Sequence, residues 1–105
     1  MIDQIKATEC NKAFVEKMDA SMIVSYYKYG PLKENYGRAT APVSALKNLE
    51  ARLKLFKETG NKEYLIDIAN FARIEFQFGA GYYDPSDETD KLVGIPINEI
   101  KNYNK

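Results

Sequence analysis

The segment KEYLIDIANFARIEFQF, residues 62–78, decides the fold. Its apolar residues occupy almost every side of a helix. At about 100° per residue, however, Glu63, Asp67 and Asn70 fall within roughly 60° of one another, flanked by Ile66, Phe71 and Ile74. An unpaired carboxylate is costly to desolvate, so this polar stripe must face water, a cation, a basic side chain or a ligand pocket.

Working outward, Thr59-Gly60-Asn61 ends one predicted helix and starts the next within a short turn. The helix before the turn starts near Thr40 or Ala41, with Pro42 in its first turn, and buries Leu46, Leu49, Leu53 and Phe56 at amphipathic spacing. An earlier helix is expected from Thr8 as N-cap to about Tyr29, with Phe14, Met18, Met22 and Tyr26 along one side and Gly30-Pro31 as its stop. Residues 31–41 read as an ordered connection. Gly79 and Gly81 end the third helix, residues 82–90 are acidic and turn-rich, residues 92–95 extended, and residues 96–100 one helical turn before a frayed tail. The expectation is an all-α single domain over residues 1–105, a small helical bundle in which helices two and three form an antiparallel hairpin. Helix three is apolar on more sides than one hairpin covers, so the bundle is expected to be completed as a homo-oligomer.

Composition removes whole classes of chemistry. There is no histidine, which excludes Ser-His-Asp and Cys-His machinery and HExxH zinc sites, and the single Cys10 excludes an internal disulfide. Of the 105 residues 45% are hydrophobic, but no run approaches the roughly 18 residues of a membrane span, and the first ten lack the apolar centre of a secretory signal. The zero net charge is assembled from unlike pieces. Residues 28–62 hold eight basic against three acidic residues (+5), and residues 63–90 seven acidic against one basic (−6). That pattern suits solvated faces of neighbouring helices, elements docking by opposite charge, or cations for phosphate beside carboxylates for a metal.

Two constellations could carry chemistry. Glu50 lies about as far before Gly60 as Asn70 lies after it, so Glu50, Glu63 and Asp67 could converge as oxygen ligands for Mg²⁺. The alternative is structural: Glu63 favoured by the helix dipole, and Asp67 paired with Arg38, Arg52 or Arg73. The second constellation is Tyr26, Lys28, Tyr29, Tyr36 and Arg38, which with Asn70 offer aromatic planes for a base and cations for phosphate, or else pack a loop on the core. A small nucleotide fits better than a nucleic-acid polymer, because no basic stripe continues along a helix. The cluster Asp84, Asp87, Glu88 and Asp90 lacks EF-hand spacing and reads as a solvated loop.

Through Lys28-Tyr29-Gly30, Asn35-Tyr36, Ala45 to Gly60 and Asp67-Ile68-Ala69-Asn70-Phe71, residues 26–78 resemble small helical proteins of bacteriophages and, distantly, the phage dATP/dGTP pyrophosphohydrolases and the MazG-like group. The resemblance implies an all-α oligomer acting in the host cytoplasm and Mg²⁺-dependent hydrolysis of nucleoside triphosphates, with paired acids on adjacent helices. Glu50 would stand for one acid of the first pair and Asp67 for the last of the second. Lys47 replaces the other first-pair acid, and Glu63 precedes Asp67 by four positions instead of three. With that set incomplete, the expected activity is binding of a nucleotide or nucleotide-derived signal, countering host defence by sequestration. The alternatives are a Mg²⁺-dependent pyrophosphohydrolase and an inhibitor that binds a host defence protein directly.

Overall fold

The computed structural model describes residues 1–37 and 42–85. They form helices α1 (Ile2–Glu9), α2 (Lys12–Tyr29), α3 (Leu32–Asn35), α4 (Ala45–Thr59) and α5 (Glu63–Phe78), with no strand among the described residues. The fold is all-α. Among these residues no helix is long and apolar enough to cross a membrane.

Local chemistry explains each boundary, and in three places it moves the expected one. Thr8 caps nothing: it lies inside α1, where its hydroxyl donates to the carbonyls of Gln4 (3.2 Å) and Ile5 (3.3 Å). The cap belongs to Asn11, whose Oδ1 accepts from the Phe14 N–H at 3.0 Å, so the expected first helix is two helices with exposed Cys10 between them. The second correction concerns Pro42. Helix α4 begins at Ala45, because Ser44 Oγ accepts from the Lys47 N–H at 3.1 Å and a hydroxyl cap outranks a proline as a start signal. Third, the connection after Pro31 contains the one-turn helix α3. Thr40 and Ala41 lie outside the described residues, as do the segments 86–90, 92–95 and 96–105.

The expected stops hold. Gly30 (φ 81°) closes α2 and Gly60 (φ 73°) closes α4, both at positive φ, where a side chain would be strained. After Gly60, Asn61 Oδ1 accepts from the Glu63 N–H at 3.0 Å and starts α5.

Helix α5 is the element against which α2 and α4 pack. Its most extensive packing is against α4, and a smaller contact joins it to α2. Arg52 of α4 reaches Asp67 at 3.5 Å, Arg73 of α5 reaches Asp19 of α2 at 2.9 Å, and Asn70 Nδ2 donates to the Met18 carbonyl at 3.0 Å. Burial is thin. Only Ala45, Asn70 and Ile74 are buried among the described residues, whereas Ile23, Val24 and Tyr27 on α2 and Phe76 on α5 are exposed, Tyr27 by 84% and Phe76 by 79%.

Candidate functional site

Helices α2, α4 and α5, together with the α3 turn, enclose a cavity of about 290 Å³. Helix α2 supplies Ser21, Met22, Ser25, Tyr26 and Tyr29 to its wall, and the Gly30 stop turns the chain so that Leu32, Asn35 and Tyr36 close one side. That closure is held by Asn35, whose Nδ2 donates to the Tyr29 carbonyl at 3.3 Å. Helix α4 contributes Asn48 and Arg52; α5 contributes Asp67, Asn70, Phe71 and Ile74.

Four of the six expected ligand residues, Tyr26, Tyr29, Tyr36 and Asn70, therefore share one cavity. Lys28 does not line it. One step along α2 from Tyr29 turns a side chain by about 100°, and Lys28 is exposed to solvent. Arg38 lies outside the described residues. The cation at this wall is Arg52, considered from sequence only as a partner for Asp67. Its guanidinium lies 5.5 Å from the Phe71 ring centroid and 3.5 Å from Asp67 Oδ2. Both members of that ion pair are about one-third exposed, so water screens their attraction.

The three expected metal ligands are not gathered. Among the described residues no group of three or more Asp, Glu, Cys or His side chains is placed to hold a metal ion. Glu50 is exposed on α4. Glu63, in the first turn of α5, lines a second cavity of about 580 Å³ with Asp67, Lys17 and Lys62. Asp67 borders both cavities. It meets a guanidinium, as the structural alternative required, but at the wall of two hollows and not in a closed interior.

The electrostatics of the smaller cavity are set by two groups. Burial pushes the Tyr36 phenol above its ordinary pKa of 10.0, against the smaller lowering effect of Arg52. Tyr36 thus stays a neutral hydroxyl, able to donate and accept, throughout the physiological range. The other group is Asn70, 6% exposed. Its Nδ2 is bonded to Met18, but its Oδ1 has no hydrogen-bond partner among the described residues.

Taken together, the cavity is lined by tyrosines, a guanidinium, a carboxylate and an amide, which is binding chemistry for a small polar aromatic molecule. Compared with known proteins, the chain matches no family model, no curated protein and no solved structure.

Proposed function

We propose that this protein holds one nucleotide, or a nucleotide-derived signal, in the cavity between α2, α4 and α5, and acts by sequestration instead of turnover. The observation that carries this reading is the meeting in one cavity of Tyr26, Tyr29, Tyr36, Arg52 and Asn70. Tyrosine faces stack a base, a guanidinium takes phosphate, and an amide reads an edge. Hydrolysis needs carboxylates free to hold Mg²⁺, whereas Asp67 already faces Arg52 and Glu50 and Glu63 do not join it in a ligand group. A role against host defence rests on the phage resemblance of residues 26–78.

Isothermal titration against linear and cyclic nucleotides, with and without Mg²⁺, followed by chromatography of the recovered ligand, tests this. The expected result is binding with the nucleotide recovered intact. Metal-dependent release of pyrophosphate would establish the hydrolase, and no heat with any nucleotide would leave direct engagement of a host protein.

The short Gly60–Lys62 connection and the Arg52–Asp67 bridge support α4 and α5 as an antiparallel hairpin. The thin core and the exposed Ile23, Val24 and Tyr27 of α2 support assembly with a second copy. Sedimentation equilibrium should give a dimer or larger species that Tyr27→Glu dissociates. A monomer at all concentrations would end that part of the reading.

A further inference from the structure

The charges that line the smaller cavity limit the charge its ligand brings. Among the described residues they are one cation, Arg52, and one carboxylate, Asp67, so the formal balance of the wall is zero. The Tyr36 phenol adds nothing, because burial raises its pKa and keeps it neutral. Lys28 is exposed, and Lys17 and Lys62 line the other cavity. A triphosphate brought here would set several negative charges beside Asp67, stripped of part of their hydration and with a single cation to answer them.

That cation is nonetheless equipped for one phosphate. Its Nε faces Asp67 Oδ2 at 3.5 Å and its guanidinium carbon lies 5.5 Å from the Phe71 ring centroid, while Nη1 and Nη2 have no hydrogen-bond partner among the described residues. A guanidinium steadied at one end by a carboxylate and along its plane by an aromatic ring keeps its remaining donors for a pair of phosphate oxygens. Volume sets a second limit. The cavity's 290 Å³ stands at the lower edge of the roughly 300–1,000 Å³ of small-molecule sites, which suits one base and one sugar but not two of each.

We infer that the ligand is a nucleoside cyclic monophosphate, one base with one singly charged phosphodiester, a refinement that rests on the nucleotide-binding reading. A phosphodiester carries one negative charge where a terminal phosphate carries about 1.5 to 2. The test is calorimetry on the full chain at fixed ionic strength without Mg²⁺. Its probes are the nucleoside, 3′,5′-cyclic monophosphate, 5′-monophosphate and 5′-triphosphate of each of the four bases, with a cyclic dinucleotide beside them. For the preferred base the cyclic monophosphate is expected to bind tightest, and the triphosphate at least about 10-fold more weakly. Asp67→Asn, which removes the charge and keeps the shape, is expected to narrow that gap, a ratio that a change in stability alone does not move. Tighter binding of the 5′-monophosphate, the triphosphate or the dinucleotide would overturn the inference while keeping the nucleotide site. So would a nucleoside that matches the cyclic form, because Arg52 would then hold no phosphate, or a gap unchanged in Asp67→Asn. Absence of binding by every probe would remove the nucleotide reading and the inference with it.

Discussion

If the cavity holds a nucleotide as proposed, Asn70→Leu is expected to reduce nucleotide affinity by about 10-fold or more while the protein melts at or above the temperature of the parent. Three effects on stability combine. The hydrogen bond to the Met18 carbonyl is lost, at about 1 kcal/mol. The unpartnered oxygen disappears, which recovers about 1–3 kcal/mol of desolvation. Leucine also favours the helix over asparagine by a few tenths of a kcal/mol, and the adjoining cavity accommodates its extra volume. The signs favour a stable variant with weakened nucleotide binding. Circular dichroism melts and calorimetry on the same preparation decide the matter. Early melting would make Asn70 a tether between α5 and α2, and unchanged nucleotide binding would mean that its amide takes no part in the site.

Ile74→Ala should act in the opposite sense. Ile74 is 4% exposed and, with Ala45, makes up the buried apolar core of the described residues. Truncating it removes packing beside Tyr36, Val43 and Phe78 and is expected to cost about 2–4 kcal/mol. Against a typical total of about 5–15 kcal/mol, that loss should lower the melting temperature by at least about 10 °C. Urea denaturation would show it as an earlier midpoint at unchanged slope. A shift under about 1 kcal/mol would mean that the main apolar burial lies elsewhere, in contact with another chain.

How far the sequence discloses this molecule depends on the range of each signal. Gly30-Pro31 and Gly60 act within a turn of chain, and the helix ends they mark are where the residues predict. The break between α1 and α2 escapes notice because two residues, Cys10 and Asn11, separate helices whose apolar spacing runs on, and because Thr8 and Asn11 are both capping types. Pro42 and Ser44 compete as start signals two residues apart, and the bond to Lys47 decides for Ser44. Helix α3 is too short to have a period.

The site divides in the same way. Tyr26, Tyr29, Tyr36 and Asn70 can be recognised as binding types, and the fold brings them to one cavity. Arg52 is legible only from register: it stands eight residues before Gly60 and Asp67 seven after, so an antiparallel pairing sets them side by side. That same arithmetic levels Glu50 with Asn70, but helical rotation leaves Glu50 in solvent, and position along an axis does not report rotation about it.

Because α2 and α4 each pack on α5, whatever fills the space between them works as a third strut, touching all three helices at once. Binding there would couple the ligand to the fold, since a molecule that favours the folded state stabilises it by mass action.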